Sequence, residues 1–330
     1  MNLGTIGTSW ITESFIEASK DSKLLNLTAI YSRNEETARA FATKHNALKF
    51  FTNIEELATS PDIDVVYIAS PNSLHYEQSI LLLKNKKHVI CEKPIFSTIK
   101  ELDHAFKVAE ENGVYLFEAI RNFHSPNFTA LKEGLEKIGQ IRSANLHYLQ
   151  YSSKYDAFLR GENPNVFSPE FSGGALVDLG VYPIYVVIGL FGKPASVNYT
   201  PVKLRTGIDG SGTLVLNYEN FTCSIQCSKV SQSYIESEIT GEIGTLVLDK
   251  PSPISKITLI NHKSKQRESL EVSQVPNDML YEIQNITSII KESNQTEYEN
   301  LKELSKLVLT VTESARKQGG IIFGVENKEN

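Results

Sequence analysis

In Cys91-Glu92-Lys93-Pro94 an ammonium group closes an apolar strand and is followed at once by a proline. Lys93 therefore stands where parallel sheets bind ligands, outside the carboxyl ends of their strands. A second reactive set follows in Gly173-Gly174-Ala175-Leu176-Val177-Asp178-Leu179-Gly180-Val181-Tyr182-Pro183. Asp178 and Tyr182 are one helical turn apart, so both can face one cleft. A phenol titrates near ~10 in water, and a neighbouring ammonium lowers that value towards working pH. Lys93, Tyr182 and Asp178 thus make a catalytic set that could move the hydroxyl proton of a secondary alcohol. Lys93 would also stabilise charge developing on the substrate oxygen. Asp178 could bind a substrate hydroxyl or pair with Lys93. Chemistry of this kind needs a hydride carrier, which a protein holds as a bound nicotinamide.

The elements that must position these groups are legible as alternating patterns. Strands are predicted at 3–7, 27–31, 49–51, 65–69, 88–91 and 114–117, with helical segments between them. Such alternation predicts a parallel, doubly wound α/β sheet. Its first turn runs Gly4-Thr5-Ile6-Gly7-Thr8-Ser9-Trp10-Ile11-Thr12. A dinucleotide turn asks for glycines where the pyrophosphate meets the helix N-terminus. Here the pattern is Gly7-x-Ser9-x-x-Thr12, an imperfect version. Gly7, Thr8, Ser9, Trp10 and Ile11 are the expected cofactor contacts in this turn. The second strand ends in Tyr31-Ser32-Arg33, with no acid to bind a ribose 2′-hydroxyl. Ser32 and Arg33 suit a 2′-phosphate instead, so NADP is preferred and NAD is the alternative.

Beyond residue 120 the style changes. Helices are predicted at 127–137, 174–190, 279–292 and 301–317, the second kinked or broken at Pro183. Residues 153–172 read as a long loop. Residues 197–260 read as strands separated by turns at Asp209-Gly210, Glu219-Asn220 and Gly241, a mainly antiparallel pattern. A chain of 330 residues with a formal charge of −6 is long enough for two domains and is not a first choice for nucleic-acid binding. No apolar run approaches the roughly 20 residues that a bilayer span needs, and no secretory leader pattern opens the chain. A cytoplasmic location is the resulting expectation. Cys91, Cys223 and Cys227 make no disulfide framework, and no metal site is expected.

Three segments in this order carry a resemblance: Ala69-Ser70-Pro71-Asn72-Ser73-Leu74-His75, Cys91-Glu92-Lys93-Pro94, and the Gly173–Pro183 stretch. Together they resemble the glucose–fructose oxidoreductase, inositol dehydrogenase and rhizopine-catabolism (Gfo/Idh/MocA) family, over essentially the whole chain. The resemblance implies a Rossmann domain over 1–120 that binds NAD(P). It implies an α+β domain over 121–330 with a large, open, mainly antiparallel sheet for substrate binding and oligomerisation. It places Pro71, Asn72, Glu92 and Lys93 beside the cofactor; Ser70 is expected as a further contact, and His75 reads equally as a cofactor contact or as the start of its helix. Many members carry Asp and His four apart where this chain has Asp178 and Tyr182, which is similar to the branch of dimeric dihydrodiol dehydrogenase. The implied activity is hydride transfer between the nicotinamide and a secondary alcohol or carbonyl of a sugar, polyol or cyclic diol. Arg121, Tyr155, Phe158 and Arg160 are expected to contact that substrate. The implied assembly is a homodimer or higher homo-oligomer, with no membrane or nucleic-acid partner. The competing reading is a non-catalytic NAD(P)-binding sensor on the same fold, which an intact Lys93 with Tyr182 disfavours.

Overall fold

The computed structural model describes residues 1–327 of the 330-residue chain. They form two compact units, one of residues 1–120 with 275–306 and one of residues 121–274 with the chain from 307 onward.

The first unit is built on strands β1 (Asn2–Ile6), β2 (Asn26–Tyr31), β3 (Lys49–Phe51), β4 (Val65–Ile68), β5 (His88–Glu92) and β6 (Leu116–Ala119). All neighbours pair in parallel in the order β3-β2-β1-β4-β5-β6, the Rossmann arrangement. Every residue of β4 is buried, as a strand covered by helices on both faces requires. The strand order reverses between β1 and β4, and the turns after these two strands therefore flank the ligand crevice of this unit.

The expected second domain, running unbroken from 121 to 330, differs from this division: residues 275–306 belong with the first unit. The helix Met279–Glu292 buries Met279, Ile283, Ile286 and Ile289 and packs on the helix Trp10–Ser22. The Tyr298 hydroxyl accepts the Leu116 amide of β6 at 3.3 Å. Helical periodicity shows that a face is buried, but it does not show which sheet the face covers.

In the second unit β7 (Ile141–Leu149), β8 (Ser196–Lys203), β9 (Asp209–Asn217), β10 (Thr222–Ser228), β11 (Ser237–Gly241), β12 (Gly244–Leu248), β13 (Ile257–Asn261) and β14 (Arg267–Ser269) form one sheet, ordered β14-β13-β12-β11-β7-β10-β9-β8. Only β7 and β10 pair in parallel. Asp209-Gly210, expected as a turn, opens β9, and the bend lies one step earlier at residues 205–208. The loop expected over 153–172 holds the short helix Tyr155–Leu159 and two single turns of 3₁₀ helix.

The Gly-Gly segment leads into a π-helical turn, Leu176–Gly180, continued by the helix Val181–Phe191. Pro183 lies inside this continuous helical run, directly after the π-turn, and the helix continues through it instead of breaking there. The stretch Pro169–Phe191 is long and apolar enough to cross a membrane by composition, contrary to the expectation that no such run exists. It is mostly buried within this unit, and residues Val181–Ile188 are buried throughout. Burial of each large side chain there contributes roughly 1.5–3 kcal/mol.

Candidate active site

In the first unit the strand-end loops after β4 and β5 are tied together by one side chain. His75 opens the helix His75–Lys84 and is fully buried. Its Nε2 lies 2.9 Å from the Ser70 carbonyl, and its Nδ1 lies 3.1 and 3.2 Å from the Pro94 and Ile95 carbonyls. Burial holds the imidazole below its ordinary pKa, while those three carbonyls push it back up. The ring thus faces protein and sets the spacing of the Ser70-Pro71-Asn72 and Lys93-Pro94 loops. From the other side the buried Glu118 accepts the Ile95 amide at 3.1 Å. Glu92 accepts the hydroxyl of buried Tyr67 at 2.5 Å, and Tyr67 is stacked on Phe15. Lys93, half-buried, rises from a loop fixed at three points. Ser70, Pro71 and Asn72 are half-buried beside it, and the Ser70 hydroxyl donates to Gln78 at 2.7 Å.

The Gly7 turn is shaped for close backbone approach. Gly7 has φ +109°, and a Cβ there would lie 2.6 Å from the Ala69 carbonyl oxygen at the end of β4. The next helix opens at Trp10 with Ser9 as its N-cap, and the Ser9 side chain makes no capping bond. Its first-turn N–H groups are therefore offered to an anion. Thr12 is fully buried and its hydroxyl has no hydrogen-bond partner among the described residues, an orphaned polar atom just behind the turn. With the sheet order, these observations fit a dinucleotide pyrophosphate. Thr8 and Ile11 are half-buried along the turn, and Trp10 is 70% exposed. Ser32 is half-buried and Arg33 exposed after β2.

In the second unit Asp178 sits on the π-helical turn and ion-pairs with Lys229, which follows β10 directly. Tyr182 lies a turn further on, its ring 5.7 Å from that of Tyr148, and its carbonyl accepts from the Asn122 side chain at 3.4 Å. π-turns recur at functional sites because they re-aim a side chain without ending the helix. What fixes this one is Asp209. Its buried carboxylate accepts the Leu176 amide at 2.7 Å and the Tyr199 hydroxyl at 2.6 Å. Gly174 has φ +129°, and a Cβ there would run into Asp209 Oδ1.

Burial pushes Asp209 up from 3.8 to about 6, against the hydrogen bonds of Tyr199 and nearby amides, which lower it. A folded-state value above the unfolded one gives stability that is full below the unfolded pKa and lost as pH rises through the folded one. Asp209→Asn should therefore gain on the wild type by on the order of 3 kcal/mol between pH 4 and pH 7. Urea unfolding of both proteins at several pH values reads this difference, and a constant difference across the range would refute it.

The expected substrate residues are placed unequally. Phe158 is 3% exposed, packs on Phe167 at 5.1 Å and carries the Arg205 guanidinium 3.4 Å over its ring, so it anchors the loop. Tyr155 is half-buried against both phenylalanines. Arg160 is exposed and paired with Glu162 at 3.1 Å, and Arg121 is half-buried at the start of a short helix. Cys223 and Cys227 are buried on one face of β10, where burial raises both thiols, Cys223 to about 12. Among the described residues no cluster of three or more His, Cys, Asp or Glu side chains could hold a metal. Sequence reasoning passed over Lys229, Asp209, Tyr199 and Glu118. The available signal was the charge at the end of an alternating strand for Lys229, and the paired glycines facing an Asp for Asp209.

Known proteins resemble this chain along most of its length. Residues 1–120 match the family described as "Oxidoreductase family, NAD-binding Rossmann fold", and residues 129–247 match the GFO/IDH/MocA C-terminal domain. The scyllo-inositol 2-dehydrogenase (NADP(+)) IolU of Bacillus subtilis is 43% identical over 96% of this chain and 97% of its own length. The trans-1,2-dihydrobenzene-1,2-diol dehydrogenase of Danio rerio is 25% identical over 91% of this chain and 90% of its own. The fold is shared with KijD10, a 3-ketoreductase from Actinomadura kijaniata solved with NADP and TDP-benzene, at TM-score 0.84 and 21% identity over 98% of this chain and 99% of that one.

Proposed function

The chain is an NAD(P)-dependent oxidoreductase of the Gfo/Idh/MocA family, to which it belongs along both of its units, and we propose that it is an NADP-dependent dehydrogenase or reductase acting at a secondary alcohol or carbonyl of a sugar, polyol or cyclic diol. The observation that carries this reading is the Lys93 loop, held by His75 and Glu118 at the carboxyl end of β5. The reading is supported by the Bacillus subtilis relative, whose name gives an inositol as substrate and NADP(+) as cofactor. It is also supported by the dihydrodiol dehydrogenases, which carry the cyclic-diol alternative.

Residues 1–120 take the dinucleotide in this reading, and residues from 121 onward bind substrate and pair into a homodimer or larger homo-oligomer through the second sheet. The location is cytoplasmic. When bound, the nicotinamide accepts or supplies the hydride. Gly7, Thr8, Ser9 and Ile11 hold the pyrophosphate with backbone amides, and Trp10 covers it. Ser70, Pro71, Asn72 and Glu92 line the nicotinamide side, with His75 spacing their loops from behind. Lys93 donates a hydrogen bond to the reacting oxygen and stabilises negative charge there. Tyr182 takes the hydroxyl proton on oxidation and returns it on reduction. Asp178 accepts from a second substrate hydroxyl, which orients the carbon for transfer. Arg121, Tyr155 and Arg160 contribute outer contacts.

The test follows absorbance of the reduced nicotinamide across scyllo-inositol, other polyols, aldoses and cyclic diols, with NADP and with NAD. Turnover with at least one of these is expected. Silence across the panel with NADP bound would sink the proposal. Ser32 and Arg33 are the 2′-phosphate ligands in this scheme. Arg33→Ala should weaken NADP binding roughly 10- to 100-fold, the worth of one charge-assisted contact, while leaving NAD binding within about twofold. Equal losses for both cofactors would remove the 2′-phosphate role.

A further inference from the structure

We infer that Lys229 is a positioning residue that holds the Asp178 carboxylate in the orientation used to receive a substrate hydroxyl. The inference rests on the reading of Asp178 given above.

The backbone around Lys229 is fixed from both sides of its strand. Its amide donates to the Gly210 carbonyl at 2.8 Å, and its own carbonyl accepts the Ser152 amide at 2.9 Å. One residue earlier, the Ser228 carbonyl accepts the Gln150 amide at 2.9 Å. The Ser228 hydroxyl accepts the Val230 and Ser231 amides at 3.2 and 3.0 Å. From this pinned base the side chain runs inward and is only 7% exposed. Its Nζ meets Asp178 Oδ2 and lies 6.0 Å from the Phe167 ring.

Asp178 is fixed on its own side as well. Its amide donates to Gly174 at 3.2 Å, and the π-turn that carries it hangs from Asp209 through Leu176. The carboxylate is therefore caught between two independently anchored pieces of backbone. A buried ion pair taken as a whole adds little to folding, because well-packed apolar residues in place of both partners are often as stable. What the ammonium adds is direction. A carboxylate offers about four acceptor positions, and a fixed ammonium on one oxygen sets which of them face a ligand. A polyol, whose hydroxyls act as donors, is the ligand class that such an acceptor distinguishes.

The experiment uses the full-length protein with NADP and the best polyol from the panel. It compares Lys229→Met, Lys229→Arg, Asp178→Asn and the double variant Lys229→Met/Asp178→Asn, each checked for folding by near-ultraviolet circular dichroism. Lys229→Met should raise the substrate KM by about 10- to 100-fold, with NADP affinity kept within about twofold. Lys229→Arg should recover most of the loss, because it restores a cation. The double variant should lie within about threefold of Asp178→Asn alone, since both changes break one interaction. Lys229→Gln carries the same expectation if Lys229→Met does not fold. A substrate KM unchanged in Lys229→Met, or losses that multiply in the double variant, would overturn the inference. If Asp178→Asn itself turns over like the wild type, the underlying role of Asp178 fails instead.

Discussion

Lys93→Ala is expected to lower kcat/KM by on the order of 10³-fold while NADP still binds within about tenfold of the wild type. Two effects are lost together. The ammonium no longer stabilises charge on the reacting oxygen, and it no longer supports proton transfer at that atom. Each is worth roughly 10²-fold or more, but groups that act as a unit do not add, so the combined loss falls short of the product of the two. The loop should keep its place, because what fixes it is the His75 ring and the Glu118 carboxylate rather than Lys93. Cofactor affinity is preserved for a similar reason: the pyrophosphate belongs to the Gly7 turn. Lys93→Arg should not rescue, as a planar fork does not replace a compact point charge in a fitted position. Steady-state kinetics with a parallel cofactor titration separate the two quantities. Turnover within tenfold of the wild type would show that Lys93 is not the group that meets the reacting oxygen.

The parts of this molecule that were legible in the sequence are those with a local cause. β4 reads as four apolar residues in a row because both of its faces are covered, and the Gly7 turn reads as a turn because the Ala69 carbonyl leaves no room for a side chain. Lys93 was visible because a charge before a proline at a strand end has few structural uses. The parts that were not legible depend on partners distant in the chain. His75 could be read equally as a cofactor contact or as a helix start, since the carbonyls that define its role lie up to 20 residues away. Lys229 looks like the end of an alternating strand until Asp178, 51 residues earlier, is placed beside it. Asp209 reads as half of a turn dipeptide, although its carboxylate is buried and anchors the Leu176 amide 33 residues back. The apolar stripe of Met279–Glu292 predicts a helix, but not the unit that the helix joins.

Gly174→Ala carries the largest expected cost to the fold, and the cause is Asp209. At φ +129° a side chain is strained whatever the space, and here there is no space, because the added carbon meets the Asp209 carboxylate oxygen. The strain alone costs roughly 1–3 kcal/mol. Moving the carboxylate costs more, because Asp209 then loses the Leu176 amide and the Tyr199 hydroxyl while remaining buried. A total loss of about 3–5 kcal/mol of stability follows, read as a lower urea midpoint with an unchanged slope. The functional effect is separable from the stability effect. Leu176 opens the π-turn that carries Asp178, so the fraction that remains folded should show a raised substrate KM and a lowered kcat. Its NADP affinity should match the wild type, since the residues proposed for the cofactor belong to the other unit. Asp209→Asn keeps an acceptor oxygen for Leu176 and should leave the KM nearly unchanged, which sets displacement of the turn apart from loss of charge. A Gly174→Ala protein with wild-type stability and kinetics would mean that the π-turn does not depend on this contact. The orientation of Asp178 would then rest on its own side-chain contacts, the Lys229 ion pair among them.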